Sequence, residues 1–248
     1  MDIPEYWNRL EREASQIVQL TLSKCEREFC LITQAFDQYC SAFESIPPSS
    51  NGAAQIVRLA LLSQNLNTFH VMINCASRGC YIQTLLPLRH VYEAWLSFWY
   101  LAKYPDEAQR WLDPTWKTRP PKAETMLNKI DHPSRHIKSK LKDFYEELNR
   151  FAHIDPAAVL SRLRHEDQTT SIGVGVRFDA DDFRACTYGL SLWMGNSLDA
   201  ISSLVPDGHQ WHAKYQPVME HILQFIDEYN AAHSGSPVSS DGDDPDAG

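Results

Sequence analysis

The chain has 248 residues, of which 43% are apolar, 11% aromatic and 22% charged. That is enough apolar side chain for one large core, and it excludes a protein disordered throughout. Its 10 glycines, about half the usual ~7% share, argue against a turn-dense β-sandwich or a Gly-rich nucleotide-loop enzyme and favour helix. The formal net charge of -9, taken whole, speaks against a nucleic-acid partner.

Charges begin at the second residue and no apolar run bounded by small residues follows, so no secretory signal is read and the expected location is cytoplasmic. In that compartment Cys25, Cys30, Cys40, Cys75, Cys80 and Cys186 are expected to be reduced. Their spacing lacks the paired two-residue interval of zinc knuckles, and neither a metal nor a cofactor is expected.

From Pro4 to Ile46 the positions Tyr6, Leu10, Ala14, Ile17, Thr21, Cys25, Phe29, Ile32, Phe36, Tyr39 and Phe43, apolar but for Thr21, step by threes and fours, which predicts one long amphipathic helix. At ~1.5 Å per residue it is about 60 Å long, more than a compact domain needs. It therefore projects, breaks once, or pairs with a second copy. Pro47 to Gly52 supplies strong turn chemistry. A second helix is predicted from Ala53 to about Ala76, ending at Arg78-Gly79, and a third from Tyr81 to Lys103 that kinks at Pro87 or starts near Leu86. The most apolar stretch, Gly79 to Ala102, carries Arg89, His90 and Glu93 near its middle. A charge there costs about 2.5 to 3.5 kcal/mol at a bilayer centre, so no membrane association is expected. Trp95, Trp99, Trp111 and Trp116 lie close in sequence and read either as a dense aromatic core or as a ligand-stacking platform.

Asp113 to Pro121 is predicted as a loop. A short helix then ends near Ile130, Asp131-His132-Pro133 is a break, and a further helix runs from Ser134 to about Ala152, stopping at His153-Ile154-Asp155-Pro156. Ala157 to Arg164 reads as helical, and Ser171 to Phe178 alternates at period two as a small β arm. Helices from Asp179, a capping residue, to Val205 and from about Gly208 to Ala232 follow. Residues 234–248 carry four acids and no periodicity and read as a disordered acidic tail. The expected fold is all-α: a single multi-helix bundle over residues 1–233, with the long helix of residues 1–46 available for oligomerisation, a small β arm and the tail.

The charge is uneven. Between Lys117 and Lys142 eight basic residues, Lys138, Lys140 and Lys142 among them, face two acidic ones, and Arg162 and Arg164 follow. Such a segment is either a solvated face paired with acids elsewhere or a local phosphate-binding patch, because the field decays over about 8 Å at physiological salt. In the following helix Asn149 and His153 lie four apart, with Arg150 within a turn of His153. An imidazole that moves a proton beside a guanidinium that holds phosphate is the equipment of metal-independent RNA cleavage. The alternative is that His153 caps its helix against the dipole. Arg89 and Glu93, also four apart, form either an internal strut or part of a polar pocket. No nucleophile elbow, P-loop or HExxH motif occurs.

Residues 88–94 (LRHVYEA), then Tyr100-Leu101 and Asp106-Glu107-Ala108, then residues 144–153 (FYEELNRFAH) resemble a group of bacterial all-helical proteins similar to the HEPN superfamily. The resemblance implies a helical bundle that dimerises, and a ribonuclease role in antiviral defence, toxin action or RNA processing. The superfamily's ribonuclease motif places an Arg roughly five to seven positions before a His, and this sequence holds a degenerate version: Arg150 is three positions before His153, and Leu148 stands where the Arg belongs. The resemblance thus implies an RNA or nucleotide partner, with His153, Arg150 and Asn149 in the catalytic positions and Arg89 and Glu93 shaping the site. The alternative from another class is a non-enzymatic oligomerisation or protein-interaction module built on the long first helix.

Overall fold

A computed structural model describes residues 4–47, 52–115, 119–131, 134–152, 163–166, 169–172 and 176–233. For residues 150–152 and for the two short strands the description is of the backbone alone. The elements in chain order are α1 (Glu5–Lys24), α2 (Glu26–Ser45), α3 (Ala53–Ser77), α4 (Tyr81–Leu85), α5 (Leu88–Lys103), a 3-10 turn (Pro105–Ala108), α6 (Gln109–Leu112), α7 (Ala123–Lys129), α8 (Arg135–Ala152), β1 (Leu163–Glu166), β2 (Thr169–Ile172), α9 (Ala180–Ser202) and α10 (Trp211–His233).

The long N-terminal helix breaks once. Cys25, fully buried, adopts φ -130° and ψ 38° and is the single residue between α1 and α2. Its N–H still donates to the Thr21 carbonyl at 2.9 Å, and its carbonyl accepts from Phe29 N–H at 2.9 Å, so the bend costs little hydrogen bonding. Beyond it α2 buries Leu31, Ile32, Ala35, Tyr39 and Ala42, a helical stripe, and the Tyr39 hydroxyl donates to the Leu62 carbonyl of α3 at 2.9 Å.

The corner after α3 follows the sequence closely. Cys80 N–H bonds the Cys75 carbonyl at 2.9 Å and Gly79 N–H the Ala76 carbonyl at 3.0 Å, the paired bonds of a Schellman cap. Gly79 has φ +76°, and a Cβ there would sit 2.0 Å from the Arg177 carbonyl oxygen, so only glycine fits. The next predicted helix is interrupted at Leu86-Pro87, giving α4 and α5.

Helix α9 is the centre of the bundle, packed by α2, α3, α5 and α10. Asp179 caps it, accepting from Asp181 and Asp182 N–H at 3.0 Å each, as its residue type predicts. Phe183, Leu190, Trp193, Met194, Leu198 and Ile201 of α9 are buried together with Phe69, Met72, Tyr92, Leu96 and Phe98, each large side chain contributing about 1.5 to 3 kcal/mol. Gly195 lets α10 approach, its position lying 3.3 Å from Ile222 Cγ2 for a built Cβ.

Several expectations are corrected. The stretch between Lys103 and the Asp113 loop, not assigned from sequence, folds as the 3-10 turn and α6. Of the β arm expected over Ser171 to Phe178, only Ser171 and Ile172 lie in a strand, and residues 173–175 lie outside the described residues. A four-residue antiparallel ladder pairs Leu163 with Ile172 and Glu166 with Thr169, and residues 176–179 are irregular. Leu163 and Arg164, read as helical, belong to that ladder, because the register opposes them to Ile172 and Ser171. The remainder of the expected 157–164 helix and the tail of residues 234–248 lie outside the described residues. Among the described residues no helix is long and apolar enough to cross a membrane.

Candidate functional site

Helix periodicity brings Arg89 and Glu93 to one side of α5, and α8 lies across that side through Leu141, Phe144, Tyr145 and Leu148. Arg89 Nε donates to Glu93 Oε1 at 3.0 Å, and the Tyr145 hydroxyl donates to the same oxygen at 2.8 Å. The Arg89 guanidinium carbon is 5.7 Å from the Tyr145 ring centroid. The two charged side chains are 35% and 37% exposed, so the pair is neither sealed in the core nor free on the surface. It is a strut between two helices, and the ion pair itself is worth about 0.3–0.5 kcal/mol.

Behind the strut stands an aromatic wall. Tyr92, fully buried, stacks on Tyr145 at 5.2 Å and meets Trp193 edge-on at 5.3 Å. Phe144 lies 5.3 Å and Trp95 5.7 Å from Trp193. The Tyr92 hydroxyl donates to the Leu141 carbonyl at 3.3 Å. Of the two readings of the tryptophan cluster, Trp95 therefore packs as core. The hydrogen bond from Arg89 to Glu93 raises the already high pKa of the guanidinium. Burial, then the adjoining Glu93 carboxylate, push the Tyr145 phenol up, and burial does the same to Tyr92. These shifts keep the guanidinium charged and both phenols neutral. Neither phenol nor the guanidinium is placed to exchange protons, and the half-exposed Arg89 is available to a ligand.

The outer face of α8 is charged in an unusual order. Arg135, His136, Lys140 and Lys142 are exposed and Lys138 is half-buried, all in the first half of the helix, whereas Asp143, Glu146 and Glu147 follow. This runs against the helix macrodipole, which favours acids at the N-terminal end and bases at the C-terminal end. Lys142 pairs with Glu146 at 3.9 Å. Among the described residues, Arg119, Lys122, Arg135, Lys138 and Lys140 form no ion pair, and Lys129 rests 5.7 Å from the Tyr104 ring centroid. The Ser134 hydroxyl caps the helix by accepting from Ile137 N–H at 3.2 Å.

The structure thus sets Arg89 and Glu93 against the inner face of α8 through Tyr145, and carries Lys138, Lys140 and Lys142 on the same helix without a contact to that pair among the described residues. Asn149, half-buried, lies one turn beyond Tyr145 on α8. Arg150 is placed by its backbone in the last turn of that helix, and Arg164 by its backbone in β1, opposite Ser171. His153 and Arg162 lie outside the described residues. Tyr145 is the member that sequence reasoning missed, although its place in the stripe Leu141, Tyr145 and Leu148 marked it as inward-facing and its hydroxyl required a partner. Among the described residues no group of three or more His, Cys, Asp or Glu side chains could hold a metal ion. Compared with known proteins, the chain matches no family model, no curated protein and no solved structure.

Proposed function

We propose that the protein is a HEPN-like helical protein that binds RNA, or a nucleotide of the same chemistry, across the α7–α8 side, in a defence or stress role. The observation that carries this reading is the reversed charge order of α8: cations at the end of a helix where they lower its stability, of which Arg135, Lys138 and Lys140 form no ion pair among the described residues, favour a ligand rather than the fold as their partner. Arg89 and Glu93 hold α8 in position, and the cleavage step assigns proton transfer to His153 and phosphate contact to Arg150.

The test is binding of a fluorescently labelled single-stranded RNA at increasing salt. Affinity falls linearly on a log–log plot, and changing Lys138, Lys140 and Lys142 together to Glu weakens binding by about tenfold or more and flattens the slope. Salt-insensitive binding, or an unaffected triple variant, removes the proposal. For cleavage, His153→Ala abolishes product while RNA binding and the melting temperature stay as they were. A variant that instead loses its fold returns His153 to the capping role.

A second reading, oligomerisation through the first helix, is favoured by the first turn of α1, where Tyr6 and Trp7 are 50% and 56% exposed. Removing residues 1–24 converts an oligomer to a monomer in light scattering under this reading, and an unchanged mass counts against it. The cut belongs at Cys25, because α2 is part of the core.

A further inference from the structure

Arg58 is the only Asp, Glu, Lys or Arg in the 25 residues of α3. Its guanidinium carbon lies 4.1 Å from the centroid of Phe98, a fully buried ring of α5. Its Nε is buried with no hydrogen-bond partner. Among the described residues it forms no ion pair; of the two acids on the turn packed against α3, Glu107 pairs with Arg110 and Asp106 is exposed.

Three costs fall on this one side chain. Its charge is partly withdrawn from water, and burial pulls its pKa down. A guanidinium donor is left unmade, where buried charges elsewhere are paired. Arg58 also follows the start of α3 by five residues, in a helix with no acid in its first turn, and its side chain leans back toward the positive end of the dipole. Stacking on Phe98 occupies one face of the guanidinium and offsets part of this, about 0.5 to 2 kcal/mol. It supplies no negative charge and leaves the edge of the planar fork, where oxyanions bind in pairs of hydrogen bonds, unused.

We propose that Arg58, seated on Phe98, is the receptor for an oxyanion, a carboxylate or a phosphate group, at the end of the bundle where α3 begins and α5 ends. The site is separate from the α8 side: Phe98 is nine residues beyond Arg89, about 14 Å along the helix, and it faces α3, whereas Arg89 faces α8. The proposal stands or falls independently of RNA binding.

The experiment is thermal unfolding of the full chain in sodium phosphate, in sodium acetate and in sodium chloride at matched ionic strength, for the wild type, Arg58→Met and Arg58→Lys. The wild type gains a saturable rise in midpoint from phosphate or from acetate beyond that in chloride, and the anion giving the larger rise identifies the ligand class. Arg58→Met loses that rise and, in chloride, unfolds at a higher temperature than the wild type. Arg58→Lys, which keeps charge and stem but not the fork, needs at least tenfold more anion for the same rise. A wild type indifferent to both anions, an Arg58→Met protein that keeps the rise, or one that melts lower in chloride overturns the proposal. The Lys138, Lys140 and Lys142 triple change to Glu keeps the rise if the site is at Arg58 and loses it if the anion sits on α8.

Discussion

Helices α9 and α8 show two uses of the same secondary structure. In α9 the residues between Cys186 and Leu198 carry no formal charge, its acids and its arginine lie near the ends, and neighbours surround it on every side. In α8 one stripe of apolar residues touches α5, α7 and Trp193, and the remaining face is charged against the dipole. The first helix is organised to hold the molecule together. The second is held in place by a few contacts, Tyr145 to Glu93 and Tyr92 to the Leu141 carbonyl, and spends helix stability on its outward charges.

Four measurements test this contrast. The largest effect is chemical and needs no substitution. Burial, then Asp182, push the Cys186 thiol on α9 up to about 12, so the proton stays on sulfur and its thiolate fraction at pH 8 is about a thousandfold below that of an ordinary thiol. A thiol reagent at that pH modifies exposed Cys30 and leaves Cys186 unmodified until the protein is denatured. Equal rates would mean that α9 is not sealed. Next, Trp193→Ala removes the ring on which Tyr92, Trp95 and Phe144 all pack and lowers stability in urea by about 3 to 5 kcal/mol. A loss below about 1 kcal/mol would displace α9 from the centre of the core. Tyr145→Phe is smaller, about 1 kcal/mol, and local: amide exchange rises in α8 while α9 stays protected. Uniform loosening of both helices would erase the distinction. Smallest in energy and sharpest in sign is Arg135→Glu at the first residue of α8. It stabilises the fold by about 0.3 to 1 kcal/mol while weakening RNA binding, and a variant less stable than the wild type would show that Arg135 serves the fold.

Much of this organisation is legible in the sequence wherever a local rule decides it. The Asp179 cap, the Gly79 corner and the break before α5 follow from residue type, because capping, positive φ and proline act within a few residues. The joint at Cys25 is not legible. Its apolar periodicity runs through the bend without a phase error, and the cause is tertiary: Thr21 and Cys25 are both buried, and the Thr21 hydroxyl donates to the Ser77 carbonyl at 3.2 Å. The ladder of residues 163–172 was misplaced because alternation in Ser171 to Phe178 was the stronger period-two signal, while the pairing register falls earlier. At the site, Arg89 with Glu93 was readable from spacing alone. Tyr145 was not paired with them, since 52 residues separate it from Glu93 and only the packing of α8 on α5 brings them together. Arg58 drew no notice because a lone arginine in an apolar helix has no spacing to flag it.

The one-residue joint at Cys25 also makes α1 a lever. A helix of 20 residues is about 30 Å long, so a rotation of about 10° at its base carries the tip through about 5 Å. Buried Ala14, Ile17 and Thr21 set its angle, and the Glu11–Arg78 pair at 2.8 Å, with both side chains 42% exposed, adds a surface tie that salt screens. Salt therefore weakens one tie of α1 while the buried contacts persist, and the turn that carries exposed Tyr6 and Trp7 has the longest arm for any change of angle.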